Sequence, residues 1–319
     1  ISAGGGLAAY KIHPEQQPVD IIGQRIFNII FPRSLKHHVL LHPILGHEIG
    51  HAAWSVPSIQ HDLVHKVLLP LFDKSQLNGT TPTVAWLKNT FGIDKTEQEI
   101  ALPLSSWAQE FLCDLYGLVL MGPSFVAAHQ SLLLAVDPTA QGYGNSHPPS
   151  ACRFWMVREA ARALSWDITS CAGNKEVENA LKAFWGAIDG QLAKMPGWAA
   201  VFDKNQVITA TQELSKILQA LDGSSYTYPD PMLFDHLLEM LSDSVPPVGH
   251  TVDGNGMFTI SSLDFRDVLF AGWLAWNNRD QVGIEVDFLD LNRLCDRAIL
   301  QQQAVALWKD GRNPEEKQP

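Results

Sequence analysis

The chain has 319 residues, 46% of them hydrophobic and 18% charged, with 23 Lys+Arg against 34 Asp+Glu for a formal net charge of −11. That length and apolar mass suit one large domain or two modest ones around a buried core. The acidic balance, with no long basic run, argues against nucleic-acid and anionic-membrane surfaces, both of which need clustered positive charge. Cys113, Cys152, Cys171 and Cys295 are scattered without a C-x-x-C pair, so neither a disulfide framework nor a cysteine zinc knuckle is encoded, and a reducing, cytoplasmic compartment is expected. No basic and apolar pair at the N-terminus reads as a secretory signal.

Taken in chain order, Gly4 to Gly6 make a flexible start, and the apolar stretch from Ile21 to Phe31 reads as a strand or a short helix. Pro43, favoured in a first helical turn, is followed by a helical spread of apolar residues, Ile44, Leu45, Ile49, Ala52, Ala53 and Trp54, that Pro57 ends. A second apolar-periodic segment covers 57–72, and Asn78-Gly79 marks a turn. Ser106-Trp107-Ala108-Gln109 reads as a capping box opening a helix that stops at Gly122-Pro123. The uncharged run Leu115 to Val136 approaches the ~20 residues that span a bilayer, but Gly122-Pro123 divides it into two buried helices. Asp137 to Pro149 reads as a loop, followed by a helix over Ser150 to Trp166. Further helical patterns recur at Lys175 to Lys194, Ile208 to Leu221, Met232 to Leu241, Ser262 to Trp276 and Phe288 to Trp308. The fold class is therefore mainly α, with room for a small sheet before Pro43 or around Met257 to Ile260.

His47-Glu48-Ile49-Gly50-His51 is an H-E-x-x-H pattern inside the first of these helices. At 3.6 residues per turn His47 and His51 stack on one face, so two imidazoles can reach one zinc ion, with Glu48 beside them to take a proton from a water. Gly46 and Gly50, at i and i+4, each cost about 1 kcal/mol against alanine in a helix, which suggests that another element packs closely there. Glu110 and Asp114 repeat the i, i+4 spacing on a strongly apolar helix. Glu110 is the expected third ligand, and Asp114 the acceptor for the far N–H of a ligand histidine. Glu239 and Asp243 carry the same spacing and are the rival pair. Beyond the Glu110 helix, His147-Pro148 and Arg153 can supply donors toward the oxyanion that forms when an activated water attacks a carbonyl.

His47-Glu48-x-x-His51, then Glu110-x-x-x-Asp114, then His147-Pro148 with Arg153 six residues after the histidine, resembles the gluzincin metallopeptidases related to the CAAX prenyl endopeptidase and the heat-shock membrane protease HtpX. The resemblance implies zincin-like catalytic helices holding one zinc per chain through His47, His51 and Glu110. Glu48 would be general base and acid, and Asp114 the partner of a zinc histidine. His147 would bind the oxyanion, and Arg153 would support it or the substrate backbone. The likeness covers about Leu41 to Arg158. Members of that family commonly carry flanking transmembrane helices and this chain shows none, so a membrane location and lipidated substrates are not carried over. Ser165 onward matches nothing in that family.

Other residues have plainer readings. His61-Asp62-Leu63-Val64-His65 imitates the zinc motif with the shorter Asp and reads as a half-exposed helix face. His37, His38 and His42 could approach the cleft and are equally well explained as polar approach residues, while Trp54 and Trp107 read as core or pocket wall, Cys113 as a small core residue, and Asp264 to Asp267 as a solvated helix start. The expectation is a zinc metallopeptidase acting on peptides or proteins, with residues 1–165 catalytic and a helical region, 166–319, shaping or covering the cleft. The alternatives are a regulatory protein that keeps a structural zinc site, and a zinc hydrolase of a non-peptide amide.

Overall fold

Helical periodicity in the sequence becomes helix almost throughout the computed structural model, which describes residues 19–21, 24–26, 35–54, 97–140, 147–171, 174–191, 204–220, 225–252, 258–261, 263–282 and 286–312. The chain is mainly α. Strand among the described residues is confined to two antiparallel pairs, β1 (Val19–Ile21) with β2 (Gln24–Ile26) and β3 (Gly249–Val252) with β4 (Phe258–Ser261). The segment 57–72, the turn at Asn78-Gly79 and the His61 to His65 motif lie outside the described residues.

Two compact units form, each discontinuous in sequence, in place of the single boundary expected after residue 165. One comprises Ile1–Arg33, Pro43–Asp167 and Gly190–Thr227; the other comprises Ser34–His42, Ile168–Asp189 and Tyr228–Pro319.

The first unit is built on α2 (Glu97–Met121), against which α1 (Leu45–Trp54), α3 (Pro123–Val136), α4 (Ser150–Ala163) and α6 (Lys204–Ala220) all pack. The capping box at Ser106 does not open α2; the helix begins nine residues earlier, at Glu97. Glu97-Gln98-Glu99-Ile100-Ala101-Leu102 is a run of good helix formers, so the helix is established ahead of the motif, and Pro103 removes one backbone bond within it. The buried side of α2 is apolar: Trp107, Phe111, Leu112, Leu115 and Leu118 are all fully buried. Burying side chains of this size stabilises by roughly 1.5–3 kcal/mol each before the entropy of ordering is subtracted.

Gly122 ends α2 with φ +70°, a conformation that costs an L-side chain, and Pro123 starts α3 at a position where its missing N–H is not needed. A Cβ on Gly122 would also lie 2.5 Å from the ring of Tyr226, whose backbone N–H donates to the Val119 carbonyl at 2.8 Å. The resulting hairpin lays α3 back along α2. Phe125 then fills the space over Gly117, where a Cβ would fall inside its ring. No helix among the described residues is long and apolar enough to cross a membrane.

In the second unit α8 (Phe265–Val282) packs against α7 (Leu233–Ser242) and α9 (Phe288–Arg312). Helix α5 (Lys175–Gly190) starts at Asn174, whose side-chain oxygen accepts the Val177 N–H at 3.0 Å, and buries Val177, Leu181, Phe184 and Ile188 along one face. The short 3-10 stretch Val39–Ile44 is anchored by Leu40: its N–H donates to Asn292 and its carbonyl accepts from Trp273 Nε1, both at 2.9 Å. His38 stacks on Phe288, and His42 donates to the Leu35 carbonyl at 3.2 Å. Asp264 heads α8 as expected, accepting the Arg266 N–H at 2.9 Å, but Asp267 is buried and not solvated.

Candidate metal centre

Glycine decides how near α1 comes to α2. A Cβ on Gly46 would lie 2.9 Å from the Gly117 Cα, and one on Gly50 would lie 2.9 Å from the Cys113 Cα. Two glycines at i, i+4 on α1 therefore meet Cys113 and Gly117, also at i, i+4, on α2. His47 and His51 belong to the same stretch of α1, and Glu110 and Asp114 to the same stretch of α2. The close approach brings the four polar side chains together.

His47 Nε2 and His51 Nε2 are 3.1 Å apart, and each lies 3.5 Å from an oxygen of Glu110. Taking one atom from each residue, the three groups fall within 4.8 Å of one another. Zinc with ligands about 2.0–2.1 Å away in a tetrahedron spaces its ligand atoms about 3.3 Å apart, so the cluster is already near the required size. The donor set, two imidazoles and a carboxylate, is one that zinc takes. Glu239, the rival, is exposed on α7.

Asp114 lies behind this cluster and is completely buried. Its Oδ1 accepts from His47 Nδ1 at 2.8 Å, which leaves His47 Nε2 as the bare nitrogen. Arg153, from α4, closes on Asp114 as a two-pronged pair, Nε to Oδ2 at 2.7 Å and Nη2 to Oδ1 at 2.6 Å, and its Nη2 lies 3.7 Å from Glu110 Oε2. Arg153 was expected to support the oxyanion or the substrate backbone. Its guanidinium is instead buried and engaged with Asp114 and Glu110. The physical reason is charge: buried Asp114 needs a counter-ion, and Arg153 is the cation that reaches it.

His147 sits just ahead of α4, with Nε2 3.8 Å from Glu110 Oε2 and a side chain 63% exposed. Its segment is tied down by the Ala151 N–H, which donates to the Ala140 carbonyl at 2.9 Å. Gln109 approaches the other histidine, its amide nitrogen 3.5 Å from His51 Nδ1. Cys113 is a core residue against Gly50, and burial pushes its thiol up.

Burial governs the titration of the site. It raises the Glu48 carboxyl to about 7, with the Glu110 and Asp114 charges adding to the effect of burial. For His51, burial and neighbouring His47 lower the pKa to about 4. Burial also works against protonated His47, but the hydrogen bond and charge of Asp114 outweigh it and shift His47 upward. Asp114 is opposed by burial too, yet Arg153 and His129 hold its carboxyl well below the usual carboxylate range. Glu110 and Asp114 face the one guanidinium of Arg153, so the cluster is formally short of positive charge, as suits a divalent cation.

The structure adds His129, on α3, whose Nε2 is 3.0 Å from Asp114 Oδ1. Its signal was a lone histidine in an otherwise apolar helix. The chain matches no family model, and no curated protein or solved structure shows significant similarity to it.

Proposed function

We propose that the chain is a zinc-dependent metallopeptidase of the gluzincin type. The observation that carries the reading is the convergence of His47, His51 and Glu110 beside Glu48, a buried carboxyl with a pKa near 7. A structural zinc site closes all four positions with protein ligands and needs no acid or base, whereas a catalytic one leaves a position open. His47, His51 and Glu110 would hold the metal. Zinc, when bound, supplies Lewis acidity toward a water and the scissile carbonyl.

The protein's own groups do the rest. Glu48 takes the proton from the attacking water and delivers it to the leaving amine, and a pKa near neutrality suits both transfers. Asp114 keeps the His47 proton on Nδ1, so that Nε2 is free to coordinate. Arg153 keeps Asp114 ionised. His147, exposed near Glu110, donates toward the carbonyl oxygen as it gains charge. The substrate is a peptide or protein segment. Four free cysteines support a reducing, cytoplasmic setting.

Incubating the purified chain with a peptide library and an unfolded protein, and reading the products by mass spectrometry, tests the reading. Cleavage is expected that a chelator abolishes, zinc restores and Glu48→Gln removes. A zinc-loaded wild type that cleaves no peptide would favour a regulatory protein with a structural site. Hydrolysis restricted to small non-peptide amides would favour the other class of zinc hydrolase.

A further inference from the structure

Asp114 Oδ1 is approached by three donors, and only two have a role so far. His47 Nδ1 lies at 2.8 Å, Arg153 Nη2 at 2.6 Å, and His129 Nε2 at 3.0 Å. The other oxygen, Oδ2, is taken by Arg153 Nε. We propose that His129 is a positioning residue of the metal centre: its Nε2–H steers the Asp114 carboxylate that orients the ligand His47. The proposal rests on the metallopeptidase reading and adds to it a group on a third helix.

The placement is built by the fold. His129 is 3% exposed. Its ring stacks on Phe125, centroids 5.1 Å apart and planes 19° from parallel, and Phe154 of α4 meets it edge-on at 6.2 Å. Phe125 and His129 are i and i+4 on α3, while Gly117 and Asp114 are i+3 and i on α2. The contact of Phe125 with Gly117 therefore brings His129 to Asp114.

The approach to Asp114 is short but bent, and the ring nitrogen has no well-aligned hydrogen-bond acceptor among the described residues. A buried imidazole N–H is costly without an acceptor, and Asp114 Oδ1 lies within reach of it at 3.0 Å. Burial holds His129 toward its neutral form, leaving it a donor without a second full positive charge beside Arg153.

The two-pronged grip of Arg153 fixes the plane it shares with the Asp114 carboxylate but leaves the pair free to rock together against α1. A third donor, arriving from another helix, removes that freedom and sets the angle at which Oδ1 meets His47. Loss of a group that partners a ligand directly typically weakens metal binding about 10–100-fold, and the low end applies to His129, which acts through Asp114 while Arg153 remains.

The test compares His129→Gln with His129→Met, similar in size and unbranched but differing in the donor. Zinc affinity is measured by chelator competition, alongside the helical signal of the zinc-free proteins. The expectation is about tenfold weaker zinc binding for His129→Met and near wild-type binding for His129→Gln. Equal, undiminished zinc affinity in both variants would overturn the proposal while leaving the zinc site standing. A wild type that binds no zinc would instead remove the metallopeptidase reading, and this inference with it. Long-range 1H–15N NMR of the zinc-loaded wild type decides the matter even where His129→Met does not fold. An Nε2–H tautomer at His129 is expected, and an Nδ1–H tautomer would overturn the proposal.

Discussion

Replacing Gly50 by alanine tests the helix approach on which the metal centre depends. The new Cβ would lie 2.9 Å from the Cys113 Cα and 3.2 Å from the Cβ atoms of Cys113 and Tyr116. Ordinary carbon contacts begin near 3.5 Å, so α1 must withdraw from α2 by roughly half an ångström. Overpacking of this kind costs about 1–3 kcal/mol, against which alanine regains about 1 kcal/mol of helix propensity. The net is a loss of about 0–2 kcal/mol. Gly186, exposed on α5, has nothing within 4 Å of its would-be Cβ, so Gly186→Ala should gain about 1 kcal/mol from propensity alone. The two alanines should thus differ by about 1–3 kcal/mol in denaturant unfolding, with Gly50→Ala the weaker protein. Zinc affinity should fall in Gly50→Ala and stay unchanged in Gly186→Ala, since only the first moves His47 and His51 away from Glu110. Stabilisation by both alanines to the same extent, with zinc binding intact, would refute the close approach.

Further outcomes follow from the same contacts. Glu48→Gln should retain zinc and lose roughly 10²–10⁴-fold in peptide hydrolysis, whereas His47→Ala should lose the metal; equal loss of zinc in both would make Glu48 a ligand or prop. Arg153→Met leaves Asp114 buried without its counter-ion and should cost about 3–5 kcal/mol in chemical unfolding, and a change below 1 kcal/mol would mean that Asp114 is not held as described. Gly122→Ala forces a side chain into φ +70° against Tyr226 and should lower stability by about 1–2 kcal/mol or more, read as a drop in thermal midpoint.

What the sequence disclosed follows from the range of each interaction. His47, Glu48 and His51 share one helical turn, and Glu110 and Asp114 another, so period 3.6 alone shows that each set lies on one face. Gly46 and Gly50 announced a close neighbour but not its identity, because Cys113 and Gly117 are more than sixty residues away. Arg153 is legible as a site residue but its contacts are not: its partner lies 39 positions earlier, and only the packing of α4 on α2 joins them. His129 escaped notice because its relation to Asp114 depends on the turn at Gly122. The start of α2 was misplaced because a capping box also occurs inside helices whose upstream residues favour helix. The two units interleave along the chain, which a single linear boundary does not express.

The central claim is that His47, His51 and Glu110 hold one metal ion. Elemental analysis of the chain purified without chelator, side by side with Glu110→Ala and Glu239→Ala, tests it most directly. About one zinc per chain is expected in the wild type and in Glu239→Ala, and a marked loss in Glu110→Ala. The absence of any transition metal from the wild type, or loss of zinc on replacing Glu239 and not Glu110, would contradict it.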